Sequence, residues 1–84
     1  MADIKVFTKD HCPYCKQLKS LLTQLNLDYS ETSLEHDPNL QKKLSEENNG
    51  WRTVPMLFIN KKFVGGFTDF KKIVDAGELQ KWLG

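Results

Sequence analysis

Short apolar runs and longer periodic stretches alternate along the first part of the chain. Residues 3–8 place Ile4 and Val6 on one face and Phe7 on the other, which is typical of a central β-strand covered on both sides. Residues 13–26 then repeat apolar side chains at helical spacing. These side chains are Tyr14, Leu18, Leu21, Leu22 and Leu25. Residues 27–33 alternate weakly and predict a second, parallel strand that completes a right-handed βαβ unit.

A second helix is predicted after this unit. Asp37 followed by Pro38 is typical of a helix start, since aspartate caps the free N–H groups and proline suits the first helical position. Leu40 and Leu44 give this helix a narrow apolar stripe. We expect it to end at residues 48–50, where glycine can adopt the left-handed conformation of a C-cap.

The rest of the chain predicts a hairpin and a third helix. Residues 56–60 and 63–65 are predicted strands joined by a polar turn of three residues, Asn60-Lys61-Lys62, as in a β-hairpin. Thr68 or Asp69 is predicted to cap the helix that follows, and Gly77 to end it. The last residues add a short helical turn. The predicted order is therefore β-α-β-α-β-β-α plus that turn, an α/β fold with a central four-stranded mixed sheet flanked by helices.

Composition narrows the range of functions. The 84 residues allow one domain, residues 1–84, and 39% hydrophobic content is enough for its core. With 12 basic and 11 acidic residues the net charge is +1, so we expect no general attraction to nucleic acid or to membranes. No apolar run approaches the roughly 18 residues of a membrane span, and the N-terminus lacks a signal-peptide pattern. A cytoplasmic location is the expectation.

The chemistry is concentrated in the two cysteines, Cys12 and Cys15. They form a Cys-x-x-Cys pair between the first strand and the first helix, a position typical of a thioredoxin-like redox motif. In a reducing compartment such a pair is more often catalytic than structural. The alternatives are a structural disulfide and half of a zinc site. Zinc needs about four ligands, and beyond the cysteines only His11 and His36 offer ring nitrogens.

The two cysteines are predicted to have different roles. Pro13 suits the first helical position, which makes Cys12 the N-cap. There the helix dipole, the free N–H groups and cations such as Lys9 stabilise a thiolate, so we expect the pKa of Cys12 to lie well below about 8.5. Cys12 is then the nucleophile. Cys15 lies one turn further along, more enclosed, and is the resolving thiol.

Three separated motifs resemble the glutaredoxin family, and together they span nearly the whole chain. They are TKDHCPYC at residues 8–15, RTVP at residues 52–55 and GGFTD at residues 65–69. The resemblance implies a thioredoxin fold with a cis peptide bond before Pro55, which proline chemistry permits. The Cys-Pro-Tyr-Cys sequence resembles the dithiol class. Phe67 stands where many members have cysteine or tyrosine, so no third thiol is expected there.

The resemblance also implies a glutathione site. Val54, between Thr53 and Pro55, is similar to the residue whose backbone pairs with the cysteinyl part of glutathione, as in strand addition to an open edge. Thr68 and Asp69 are similar to the residues that receive the γ-glutamyl end. Backbone N–H groups at the helix start would hold its carboxylate, and the Asp69 side chain would face its ammonium.

The other end of glutathione is assigned by the same resemblance. Lys9 and Lys42 are similar to residues that face the glycyl carboxylate, with Gln41 or Lys43 as alternatives to Lys42 in another helix register. Tyr14 resembles the ring that lines the groove beside the sulfur. The implied glutathione contacts are Lys9, Tyr14, Lys42, Thr53, Val54, Pro55, Gly66, Thr68 and Asp69.

The function that this resemblance implies is glutathione-dependent thiol-disulfide exchange. The expected protein is a monomer without a tightly bound cofactor or metal, and it uses glutathione as the reducing co-substrate. Its expected partners are disulfide-containing or glutathionylated proteins, among them enzymes such as ribonucleotide reductase. Two alternatives remain: a glutaredoxin-like thioredoxin reduced by a flavoprotein reductase, and a glutathione-assisted carrier of an iron-sulfur cluster between two monomers.

Overall fold

A computed structural model describes residues 2–84 and contains four strands and four helices in that range. The elements in chain order are β1 (Ile4–Thr8), α1 (Pro13–Gln24), β2 (Ser30–Ser33), α2 (Pro38–Glu47), β3 (Met56–Ile59), β4 (Lys62–Gly65), α3 (Phe67–Asp75) and α4 (Leu79–Leu83). This order confirms the predicted one. None of the helices within residues 2–84 has the length and apolar character needed to cross a membrane.

The four strands form one mixed sheet in the order β2-β1-β3-β4. β1 pairs in parallel with β2, with Val6 opposite Glu31, and antiparallel with β3, with Val6 opposite Leu57. β3 and β4 form the predicted antiparallel hairpin. Because β1 and β3 are neighbours and run antiparallel, with Phe7 opposite Met56, the loops that follow β1 and precede β3 meet at the same end of the sheet.

Each face of the sheet is covered by a separate apolar cluster. On one face the buried side chains come from β1, β3, α1 and α3, which explains the alternation predicted for β1. They are Ile4, Val6, Leu18, Leu22, Leu57, Ile59 and Phe70. The other face is covered by α2, where Leu44 packs with Leu34 and Met56 and the half-buried Phe7 and Phe58 join them. Helices therefore cover both faces of the central strands that lead to the cysteine loop.

The second strand is shorter than predicted. β2 begins at Ser30, not at residue 27, and all four of its residues are exposed. Leu27 and Tyr29 pack against the core from the connecting segment, after a left-handed turn at Asn26 with φ of 58°. Leu27 and Tyr29 alternate with polar residues because two side chains of this loop contact the core, and this gives the same sequence pattern as a strand.

The hairpin turn is tighter than the predicted three polar residues. β4 starts at Lys62, and the two connecting residues, Asn60 and Lys61, have φ values of 52° and 69°. Positive φ at both central positions matches a type I′ turn, whose twist suits a two-residue hairpin. Asn60 also accepts a hydrogen bond from the Asp3 N–H at 2.9 Å and donates one to the Trp82 carbonyl at 2.9 Å, which ties the turn to both ends of the described chain.

Candidate active site

Cys12 is the N-cap of α1, as the sequence predicts. Its backbone is extended, with φ of −107° and ψ of 105°, and Pro13 occupies the first helical position. The Cys12 sulfur accepts a hydrogen bond from the Cys15 N–H at 3.1 Å, and the two sulfurs form a disulfide with the Cα atoms 5.2 Å apart. A helix N-terminus therefore directs an N–H group and its positive dipole end at this sulfur.

The two sulfurs of the pair differ in access. Cys15 is only 2% exposed, whereas Cys12 is half-buried at the mouth of the loop. Residue 11, directly before Cys12, adopts a left-handed conformation with φ of 57°, which few residues other than glycine adopt and in which histidine is enriched together with asparagine and aspartate. The turn at His11 leads the chain from β1 to the helix start, and it leaves Cys12 as the sulfur that an incoming group can reach.

The loop before β3 lies beside Cys12. The Val54–Pro55 peptide bond is cis, as the resemblance implied, and Pro55 is buried while Val54 is half-buried. The Cys12 sulfur lies 3.8 Å from the Val54 carbonyl oxygen. Since proline has no N–H to donate, the backbone at Val54 remains an open edge next to the reactive sulfur.

The start of α3 corrects the predicted cap. Neither Thr68 nor Asp69 is the N-cap, because α3 begins at Phe67 and Gly66 occupies that position. Gly66 has no side chain to cap with, so Asp69, at the third helical position, accepts the Gly66 N–H at 3.0 Å. One carboxylate oxygen of Asp69 is used in this way, which leaves the other for a ligand. The first N–H groups of α3 lack intrahelical acceptors.

These three segments enclose a groove of about 340 Å³, which we call the active-site groove. Its lining residues are Tyr14, Trp51, Thr53, Val54, Pro55, Gly66, Phe67, Thr68 and Asp69. The structure thus brings together residues from all three motifs. Lys9, half-buried, and Lys42, exposed on α2, are absent from this lining, and their assignment to glutathione stays a prediction.

Sequence reasoning missed two aromatic residues of the groove, Trp51 and Phe67. Phe67 stacks on Tyr14, with ring centroids 6.3 Å apart and planes inclined by 26°. Trp51 packs edge-on against Phe63, and a Cβ on Gly66 would lie 3.7 Å from the Trp51 ring. Within residues 2–84, the Trp51 indole N–H is buried without a hydrogen-bond acceptor. The sequence feature that could have indicated a binding role for Trp51 is its position in a polar loop, directly before the RTVP motif.

Other features of the described residues lie away from the cysteines. A larger depression, of about 510 Å³, is found at the opposite end of α1, lined by Thr23, Tyr29 and the segment between them. It contains no cysteine and no group from the three motifs. No cluster of three or more histidine, cysteine, aspartate or glutamate side chains within residues 2–84 is arranged to hold a metal ion.

Comparison with known proteins agrees with this geometry. The glutaredoxin family model matches residues 4–64, which include the cysteine pair and the Val54–Pro55 segment. The chain belongs to the glutaredoxin family. As a glutaredoxin it carries the thioredoxin fold, and the four-stranded mixed sheet with flanking helices is the one found in solved structures of the family.

Individual relatives extend the match over nearly the whole chain. Glutaredoxin-C4 of Arabidopsis thaliana is 39% identical over 84 residues, which cover 96% of this chain and 62% of the relative. Glutaredoxin-1 of Sus scrofa is 35% identical over 81 residues, covering 90% and 76% of the two chains. A buckwheat glutaredoxin–glutathione complex superposes with a TM-score of 0.88 at 32% identity, covering 98% of this chain and 76% of that one.

The chain spans less than two thirds of some relatives that it matches. It covers 62% of the Arabidopsis protein and 57% of a monothiol glutaredoxin of Caenorhabditis elegans. The family and the fold of this glutaredoxin follow from the matched residues.

Proposed function

We propose that this glutaredoxin is a glutathione-dependent thiol-disulfide oxidoreductase. The observation that carries the proposal is the juxtaposition of a disulfide at the N-terminus of α1 with the open backbone edge at Val54 and the start of α3. The family supports thiol-disulfide exchange, and the glutathione complex of the buckwheat relative supports the choice of co-substrate.

The first reaction step uses the reduced Cys12 thiolate. It attacks one sulfur of a substrate disulfide, the substrate S–S bond breaks, and the departing sulfur leaves as a thiolate that takes a proton from water. Cys15 then loses its proton and attacks the Cys12 sulfur. This step releases the second substrate thiol and closes the Cys12–Cys15 disulfide. Two electrons have then passed from the cysteine pair to the substrate.

Glutathione restores the cysteine pair in two exchanges. One glutathione thiolate attacks the Cys12 sulfur and leaves Cys15 as a thiol, and a second removes the first from Cys12 as oxidised glutathione. When the substrate is a glutathionylated protein, Cys12 takes up the glutathione directly and releases the protein thiol. Free glutathione then attacks the Cys12–glutathione bond, so this route needs only one cysteine.

The active-site groove suits the shape and charge of the cysteinyl and γ-glutamyl parts of glutathione. The Val54 backbone, 3.8 Å from the Cys12 sulfur at its carbonyl oxygen, would pair with the cysteinyl residue. The free N–H groups of Thr68 and Asp69 would bind the γ-glutamyl carboxylate at the positive end of α3. The Asp69 carboxylate would face the ammonium, and Tyr14 would border the sulfur.

We place the glycyl end of glutathione beyond the residues that line the active-site groove. We assign Lys9 and Lys42 to its carboxylate, because both are cations that long, flexible side chains can bring to the groove edge. We also propose a cytoplasmic location, where glutathione keeps thiols reduced, and action as a monomer, since one chain supplies both cysteines and the groove. Glutathionylated and disulfide-containing proteins are the proposed substrates.

A coupled assay tests the source of electrons. The purified protein is given a glutathionylated peptide, with either glutathione and glutathione reductase or thioredoxin reductase alone as the electron donor. We expect turnover with the glutathione system only. Turnover with thioredoxin reductase and none with glutathione would reject glutathione dependence, even though the cysteine pair still exchanges disulfides.

A further inference from the structure

A second groove adjoins the active-site groove and shares one side chain with it. It lies between the exposed sides of α1 and α3 and has a volume of about 270 Å³. We call it the α1–α3 groove. Its lining residues are Gln17, Ser20, Leu21, Gln24, Phe67 and Lys71. Phe67 lines both grooves, so a chain leaving the active-site groove past this ring enters the second one.

The junction between the two grooves is aromatic and accessible. Tyr14 is 57% exposed, unusual for a large side chain of this kind, and stacks on the half-buried Phe67. Beyond this pair, the half-buried Leu21 contributes further apolar surface. Exposed aromatic side chains of this type are common at contacts with protein partners, since they bury a large area at a small cost in side-chain entropy.

The charge of the α1–α3 groove is close to neutral. Its cation, Lys71, contacts both carboxylate oxygens of Asp75, each at 3.1 Å. The other polar side chains of the lining are amides and a hydroxyl. A neutral groove with an apolar surface selects an apolar side chain over an acidic or basic one.

The distance from Cys12 limits which substrate residue can reach the groove. Positions 17 to 21 of α1 follow Cys12 by five to nine residues, which corresponds to about 7 to 14 Å along the helix at 1.5 Å per residue. An extended peptide advances about 3.3 Å per residue. The residue that enters the groove is therefore about two to four positions from the substrate cysteine.

The direction of the peptide follows from the proposed glutathione orientation. The γ-glutamyl group is attached to the nitrogen of the glutathione cysteine and is assigned to Thr68 and Asp69. A polypeptide bound in the same orientation would have the residues that precede its cysteine at the start of α3. Phe67 lies next to Thr68 in the chain, so these preceding residues pass the Phe67 ring.

We propose that the α1–α3 groove binds an apolar side chain two to four residues before the reactive cysteine of a polypeptide substrate. The inference rests on the proposed function, because it uses the Cys12 mixed disulfide and the orientation of glutathione. The groove thereby selects among protein substrates, whereas free glutathione, which ends at its γ-glutamyl group, does not reach it.

An exchange equilibrium in a Cys15→Ser background tests the proposal. The Cys12–glutathione disulfide is mixed with a neutral heptapeptide thiol whose central residue is cysteine, which gives the Cys12–peptide disulfide and free glutathione without any added oxidant. Intact-protein mass spectrometry gives the ratio of the two adducts. One peptide carries leucine three residues before its cysteine, one carries serine there, and one carries leucine three residues after the cysteine.

Two exposed positions on α1 supply matched variants. Ser20→Arg places a long side chain in the α1–α3 groove, and Thr23→Arg adds the same charge outside it. We expect the exchange constant of the peptide with the preceding leucine to exceed that of the serine peptide about five- to tenfold. This ratio corresponds to burial of about half of the leucine side chain. The preference should disappear in Ser20→Arg and persist in Thr23→Arg.

The outcomes separate the two proposals. Equal exchange constants for all three peptides, or a leucine preference that survives Ser20→Arg, would overturn the groove assignment while Cys12 chemistry stands. A preference for the peptide with the following leucine would overturn the assigned direction. Absence of any adduct with glutathione or peptide would instead reject the proposed function.

Discussion

Oδ2 of Asp69 occupies the space that a side chain on Gly65 would need. A Cβ atom added to Gly65 would lie 2.5 Å from this oxygen and 2.8 Å from the carboxylate carbon. Gly65 also has a φ of 123°, a conformation that glycine adopts at little cost. The absence of a side chain at Gly65 therefore lets the Asp69 carboxylate reach the Gly66 N–H and lie beside the active-site groove.

The Gly65→Ala variant is expected to displace the Asp69 carboxylate. We expect a higher KM for glutathione together with a loss of more than about 1 kcal/mol of unfolding free energy, because alanine is strained at positive φ. Steady-state kinetics and urea unfolding measure the two effects. Gly77→Ala is the matched control, since Gly77 has a φ of 71° and open space around it. It should lose stability and keep its KM; a raised KM in both variants would point to general destabilisation.

Asp69→Asn separates the capping role of Asp69 from its proposed ligand role. The asparagine oxygen at this third helical position can still accept the Gly66 N–H, so the melting temperature should change little. Loss of the charge contact to the glutathione ammonium should raise the KM by the equivalent of about 1 to 3 kcal/mol. Asp37→Asn, at the N-cap of α2, is the control for a neutralised helix-start carboxylate. A large fall in melting temperature with an unchanged KM would make Asp69 structural only.

Cys12→Ser should abolish turnover of every disulfide substrate. A serine hydroxyl does not attack a disulfide as a cysteine thiolate does. Cys15 is poorly placed to replace Cys12 because only 2% of it is exposed. Turnover is measured with glutathionylated peptide and with a protein disulfide. Residual activity well above the uncatalysed rate with either substrate would overturn the assignment of Cys12 as the nucleophile.

Acid stability should depend on Glu31. A hydrogen bond from the Thr8 hydroxyl at 2.7 Å lowers the pKa of Glu31 from its ordinary value of 4.5, burial opposes this, and Lys19 at 3.0 Å lowers it further. A depressed pKa in the folded state means that the stabilisation is present above pH 4.5 and is lost as the pH falls through the lower folded value.

The Glu31→Gln variant tests this dependence. Melting temperatures are compared between neutral pH and acid below the folded-state pKa of Glu31, where the wild-type carboxyl is protonated in both the folded and the unfolded state. We expect the variant to be less stable than the wild type at neutral pH and close to it in acid. Glu46→Gln, an exposed change on α2, is the control: its melting temperature should differ from that of the wild type by the same amount at neutral pH and in acid. A difference between Glu31→Gln and wild type that is the same at both pH values would exclude the carboxylate as its cause.

The sequence was most informative where local chemistry alone determines structure. Pro13 after Cys12 and Pro38 after Asp37 predicted both helix starts, because capping depends on neighbours in the chain. The N-cap of α3 was predicted wrongly because the residue at that position, Gly66, has no side chain that would mark it as a cap. The Gly66 N–H is instead bonded by the side chain of Asp69, three residues further on. Trp51 was missed for a different reason: it packs against Phe63 and lines the groove together with Gly66, and both of these residues are distant from it in the chain.

Cys15→Ser should separate the two reactions proposed for this site. Reduction of a protein disulfide leaves a bulky partner on Cys12, and release of that partner needs a thiol held close by. Cys15 supplies it at high effective concentration, with its Cα 5.2 Å from that of Cys12. Reduction of a glutathionylated peptide leaves only glutathione on Cys12, and a second glutathione can reach that sulfur because Cys12 is only half-buried, whereas Cys15 is buried.

The Cys15→Ser variant is therefore expected to keep most of its deglutathionylation and to lose most of its dithiol-dependent disulfide reduction. Both rates are measured with glutathione and glutathione reductase as the electron source. Thr23→Ala, an exposed change on the same helix outside both grooves, serves as the control and should leave both reactions intact. Equal loss of both activities in Cys15→Ser would mean that glutathione cannot resolve the Cys12 intermediate, and a thioredoxin-like electron source would then be the better account of this site.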